Sequence, residues 1–175
     1  MLLGVAAIGC ALLAGCSRAP HPLTGQQAPD LRLDLLGPEK LDLAEHRGKH
    51  IVLLDFWATW CGPCREYMPI VERVAGEFRD QGVVLYAVNS QESPETVRNF
   101  IKTFPILSPI AMDTTGAASF AYQVDFIPQT VLIDAQGRIQ KVYVGTGRGI
   151  ESELRSDLRR LIAGEDLAPP AAPSS

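Results

Sequence analysis

The stretch His50-Ile-Val-Leu-Leu-Asp-Phe-Trp-Ala58 is apolar at every position except its first and Asp55. A strand wetted on one side alternates apolar and polar residues, whereas an unbroken apolar run of this length marks a strand covered on both faces. The fold must therefore supply a layer above and a layer below this strand. The run leads into Trp60-Cys61-Gly62-Pro63-Cys64, after which Met68, Val71, Val74, Ala75 and Phe78 recur at helical spacing. A helix is thus predicted to follow the cysteines and to end near Gly82. "VVLYAV" reads as a second buried strand. Ser93 and Pro94 make a helix start, with Val97, Phe100, Ile101 and Phe104 as its apolar face before Pro105 stops it. Upstream, "LRLDLL" alternates as a half-buried strand does. Downstream come a short extended piece around Ile110, a small helix around Phe120, a hairpin of "TVLID" and "RIQKVYV" turned at "AQG", and a last helix lined by Ile150, Leu154, Leu158 and Leu161. Strand-helix-strand first, with a hairpin and helix last, is a mixed α/β sheet with helices on both faces.

With 175 residues, 46% of them apolar, the chain can bury one ordinary core. A net charge of -4 with scattered Lys and Arg leaves no basic face for nucleic acid. There is no internal repeat.

Residues Met1 to Gly15 carry no charged side chain. The run is short of the roughly 20 residues that span a bilayer and suits the apolar region of a secretory signal. Such signals usually open with Lys or Arg, so a start upstream of Met1 is allowed for. Leu13-Ala14-Gly15-Cys16 resembles the lipobox of bacterial lipoproteins, in which the Cys is lipidated and becomes the first residue after cleavage. The domain reading is then a signal peptide over 1–15, a lipidated Cys16 and linker over 16–28, a folded domain over 29–164 and a disordered, Pro- and Ala-rich tail over 165–175.

The Cys61-x-x-Cys64 spacing at a strand-to-helix junction carries the chemistry. Two thiols so spaced can close a disulfide across the first turn of a helix. The helix N-terminus directs unpaired N–H groups and a partial positive charge at the first sulfur, which favours thiolate. Pro63 fits because the first turn needs no N–H from it. Cys61 is therefore expected to attack, and Cys64, deeper in the turn, to resolve. A structural zinc site would want four ligands, and there is no second Cys pair; His46 and His50 are four apart, but Gly48 between them argues against a helix. No metal and no cofactor are expected. An inert disulfide is the remaining bland reading. Gly145-Thr-Gly-Arg-Gly149 lacks the third Gly of a dinucleotide fingerprint and lies near the end of the domain rather than at its start.

"DFWATWCGPC" resembles the active-site segment of the thioredoxin superfamily. "GKHIVLLDFWATWCGPCREYMP", "VDFIPQTVLIDAQGRI" and the helix-strand insertion between them are similar to its TlpA/ResA branch of membrane-anchored thiol-disulfide oxidoreductases, over roughly Pro29 to Ile162. The resemblance implies a thioredoxin-like fold, a redox pair at Cys61 and Cys64, and a cis proline at Pro128 beside the disulfide, with the Ile127 backbone pairing with an incoming peptide. It also implies that Trp60 shapes the docking surface and that Pro69 kinks the helix. Asp55, in mid-strand, would be costly to ionise and suits a base exchanging a proton with Cys64. The branch commonly has Asn at that place and Glu where this chain has Tyr67; Glu66, about 100° around the helix, should not substitute.

The expected function is extracytoplasmic reduction of disulfides in client proteins, by a monomer lipid-anchored to a bacterial membrane and recharged by a DsbD-like membrane donor. Two alternatives are a peroxiredoxin-like thiol peroxidase, whose attacking Cys follows a Pro and a Thr at set distances and for which "DFWATWC" has no such Pro, and a non-catalytic copper carrier, for which the three-residue spacer and distant His are missing.

Overall fold

The computed structural model describes residues 20–168. The signal-peptide reading, Cys10, Cys16 and the end of the tail lie outside these residues. Five strands form the central sheet in the order β5-β4-β3-β6-β7: β3 (Ile51–Trp57), β4 (Val83–Ser90), β5 (Ile110–Asp113), β6 (Gln129–Ile133) and β7 (Ile139–Val144). β3, β4 and β5 are parallel, while β6 runs antiparallel to both its neighbours, β3 and β7. Every residue of β3 is buried, as its unbroken apolar run requires.

The alternation of side chains along β3 sorts the molecule into layers. Ile51, Leu53 and Trp57 face one side. Leu53 packs with Tyr67, Val71 and Val74 of α1 (Gly62–Glu77) and Leu154 and Leu158 of α4 (Ile150–Ile162). Trp57 packs with Met68 of α1 and Val97 of α2 (Pro94–Ile101), its ring 5.6 Å from that of Phe100. Val52, Leu54 and Phe56 face the other side, against Ala118 and Tyr122 at the small helix α3 (Ala117–Ala121) and a two-stranded antiparallel ribbon, β1 (Arg32–Asp34) and β2 (Lys40–Asp42). The fold is thioredoxin-like, with α2 and β5 as the inserted helix and strand.

Local chemistry accounts for the element ends. Ser93 caps α2, its hydroxyl accepting from Thr96 N at 3.1 Å, and Pro94 opens the helix. The periodic reading carried α2 on to Phe104, but the helix ends at Ile101; Thr103 and Phe104 continue only as turns closing on Phe100 O. β2 and the 3-10 turn behind it (Leu43–His46) are too short to show a period, and the sequence reading has neither.

Two boundaries differ from expectation. The segment read as linker packs on the sheet: Leu23 and Ala28 are core residues, and Gly25 and Gln26 exchange backbone hydrogen bonds with Ile139. Its Pro and Gly content disguises isolated apolar side chains that have no period of their own. At the other end, Leu167 and Ala168 donate their N–H groups to Gln140 Oε1 at 2.7 and 3.0 Å, so the expected tail begins inside the folded unit.

Candidate active site

α1 begins at the carboxyl end of β3, and Cys61 is its N-cap. Cys61 and Cys64 form a disulfide with an S–S distance of 2.02 Å, and Cys61 Sγ accepts from the Cys64 N–H at 3.2 Å. The orphan amide at the helix start is thus aimed at the sulfur that must carry negative charge on reduction. Burial does not separate the two cysteines, since Cys61 is 4% and Cys64 2% exposed. What separates them is position: Cys61 caps the helix, and its Sγ lies 3.9 Å from the Ile127 carbonyl oxygen.

That carbonyl belongs to the loop entering β6, where the Ile127–Pro128 bond is cis. Pro128 is buried and Ile127 half-buried. Trp60 is 72% exposed, and so is Phe126, a residue the sequence reading passed over. Together with Ile127, Val124, Asp125, Ser119, Ser90 and Gln91 they line a cavity of about 480 Å³. An exposed aromatic on either side of a peptide carbonyl is a surface suited to an extended chain laid beside the disulfide.

Asp55 sits beneath α1. It occupies the same face of β3 as Leu53 and Trp57 and is 1% exposed. Its Oδ1 accepts from the Thr130 hydroxyl at 2.7 Å, while Oδ2 has no hydrogen-bond partner among the described residues. Burial pushes the carboxyl up to about 7, the Thr130 hydrogen bond opposes this, and the charge of Glu72 adds to it. The Thr130 oxygen also lies 3.2 Å from the Tyr67 hydroxyl. One hydroxyl has one proton, so with Thr130 donating to Asp55 the Tyr67 hydroxyl is the donor in the second contact. Tyr67 is buried, and burial followed by the Asp55 charge holds its phenol well above the ordinary range. Glu66 is exposed, turned away as the helical period requires.

A second set of contacts holds the loop before Cys61. The Glu92 carboxylate accepts from Thr59 N at 2.7 Å, from the Thr59 hydroxyl at 2.5 Å and from Asn89 Nδ2 at 2.8 Å. Thr130 lies 75 positions from Asp55, and Glu92 lies 33 positions from Thr59. No local spacing could have announced them; an isolated Thr beside the cis proline was the available signal for the first.

Residues 23–158 match the Redoxin family. The chain is 42% identical over 137 residues to the thioredoxin-like protein YneN of Bacillus subtilis, covering 77% of this chain and 79% of that protein. The chain belongs to the Redoxin family. It is also 37% identical over 122 residues to the thiol-disulfide oxidoreductase ResA of the same bacterium, covering 70% of this chain and 68% of ResA. Among solved structures, a candidate thiol:disulfide interchange protein DsbE of Chlorobium tepidum superposes with a TM-score of 0.74 at 28% identity, over 79% of this chain and 97% of that one. Within the family, this likeness and the Cys61–Cys64 disulfide place the chain among the thiol-disulfide oxidoreductases of the ResA and DsbE type.

Proposed function

We propose that the protein reduces disulfides of client proteins, with Cys61 attacking, Cys64 resolving and Asp55 carrying the proton. The observation that supports this most directly is the pairing of a capped, helix-headed Cys61 with a buried acid that has one carboxylate oxygen free. In the reduced state the Cys61 thiolate attacks a client sulfur, a Cys61–client disulfide forms and one client thiolate leaves. Cys64 then passes its proton toward Asp55 and attacks Cys61 Sγ. The second client sulfur departs as thiolate, and the Cys61–Cys64 bond closes. An acid near 7 is half ionised at neutral pH, so it can take that proton and return it when the pair is reduced again.

Trp60, Ile127 and Pro128 form the docking surface in this reading, the Ile127 backbone pairing with the client strand. The Gly-Pro dipeptide resembles that of thioredoxin, whose pair is poised near about -270 mV, against about -120 mV for the oxidant DsbA. Each turnover consumes two electrons, which a DsbD-like membrane donor would resupply. Lipid anchoring through Cys16 and an extracytoplasmic site rest on the Leu13–Cys16 pattern. Among the described residues no helix is long and apolar enough to cross a membrane.

The test is the equilibrium of Cys61–Cys64 with glutathione or dithiothreitol, together with trapping. A potential near or below that of thioredoxin, and a client mixed disulfide that accumulates with Cys64→Ser but not with Cys61→Ser, support the reading. A potential near that of DsbA reverses the direction of electron flow and overturns it.

A further inference from the structure

His46 and His50 are brought together by a turn, not by a helix. The His50 and Lys49 N–H groups both donate to His46 O at 3.0 Å, and Gly48, at φ +74, lets the chain close. The result is a pair of imidazoles with His46 Nδ1 3.1 Å from His50 Nδ1. Two ligands held about 2.0 Å from one metal ion, at angles of about 90–110°, stand about 2.8–3.4 Å apart. Both rings are part-exposed, so solvent can complete a coordination sphere. On its far side His46 Nε2 lies 3.0 Å from the Tyr86 hydroxyl. A ring that ligates through Nδ1 keeps its proton on Nε2, and the Tyr86 oxygen stands ready to accept it, as outer partners of metal-bound imidazoles do.

We infer that His46 and His50 form a two-imidazole site for a divalent transition-metal ion, Cu²⁺ by preference, at the end of the sheet remote from the disulfide. His50 immediately precedes β3, whereas the cysteines follow its other end. Imidazole nitrogen suits copper and zinc, and the order of intrinsic affinities puts Cu²⁺ first. In the free pair one Nδ1 carries the proton shared with the other. The ion takes the place of that proton, which moves to the Nε2 of the same ring, so a neutral pair loads without net proton release or electron transfer.

The experiment is Cu²⁺ titration of the full chain in detergent, with Cys61–Cys64 oxidised and the thiols of Cys10 and Cys16 alkylated so that no sulfur competes. Expected are one saturable equivalent and an electron paramagnetic resonance spectrum with coupling from two imidazole nitrogens. His46→Gln and His50→Gln should each abolish that two-nitrogen signal, His21→Gln should keep it, and Tyr86→Phe should weaken binding about tenfold or more. Near-UV circular dichroism confirms that the variants are folded. Absence of a saturable equivalent, or a two-nitrogen signal that survives in the double His46→Gln, His50→Gln variant, overturns the inference. Because the disulfide stays closed throughout, neither outcome bears on thiol exchange.

Discussion

In the mechanism we propose, Asp55 is the residue on which stability and chemistry pull in opposite directions. The native protein holds the Asp55 proton up to about pH 7, whereas an unfolded chain releases it near the ordinary value of 3.8. Between these limits the native state binds more protons than the unfolded one, so this group makes stability fall as pH rises from about 4 to about 7. Asp55→Asn removes the charge while keeping an oxygen for Thr130. Urea unfolding should show little difference between variant and wild type at pH 4. Above pH 7 the variant should be more stable, by an amount on the order of 4 kcal/mol. The same variant should lose any inflection near pH 7 in the rate at which a mixed disulfide is resolved. A rate profile identical to that of wild type would remove Asp55 from the mechanism. Thr130→Val takes away the hydrogen bond that restrains the Asp55 shift, so the inflection should move to higher pH in that variant.

Among the elements, the loop between β3 and α1 depends on one side chain contributed from beyond β4. Glu92→Ala would leave Thr59 N, the Thr59 hydroxyl and the Asn89 amide without their acceptor. A cost of about 1–3 kcal/mol follows from unpaired polar groups of this kind. Hydrogen exchange at the Thr59 and Trp60 amides should accelerate more than at β6, and uniform acceleration would show a global effect instead. Gly48→Ala places its Cβ where no atom lies within 4 Å, so only the left-handed backbone resists it, at about 1–2 kcal/mol in thermal or denaturant unfolding. These two sites also mark how far the elements could be read in advance. β3, β4 and α1 were legible because burial on two faces leaves a near-continuous apolar run and a helix buried on one face leaves an apolar stripe. The Cys61–Cys64 pair was legible because its chemistry is local. The His46–His50 approach was not, because Gly48 was correctly read as breaking a helix while its turn still returns the chain to the same place. Thr130 and Glu92 were missed for a different reason: Asp55 and Thr59, which they contact, are distant from them in the chain and close only through the fold.

For the whole molecule, the boundaries matter most. Leu23 is 6% exposed and belongs to the cluster formed with Leu54, Val131 and Ile139. Leu23→Ala should cost about 2–5 kcal/mol, lowering the urea midpoint without changing its slope. A fragment beginning at Pro29 should be destabilised further, since it also loses the bonds of Gly25 and Gln26 to Ile139. An unchanged midpoint would restore the segment to the status of a tether. β7 lies at the margin of the sheet. An open margin invites pairing with a second chain, and the N-terminal segment covers part of this one.

Gly25 N donates to Ile139 O, and Leu167 N donates to the side chain of Gln140. The two ends of the folded unit are thus moored to adjacent residues of one strand. Topologically the chain is almost a closed ring. A short splice from Ala168 back to Pro20, with new ends opened at the exposed turn around Gln136, should give a circular permutant that retains the disulfide and its surroundings, because the order of synthesis is not what holds this architecture together.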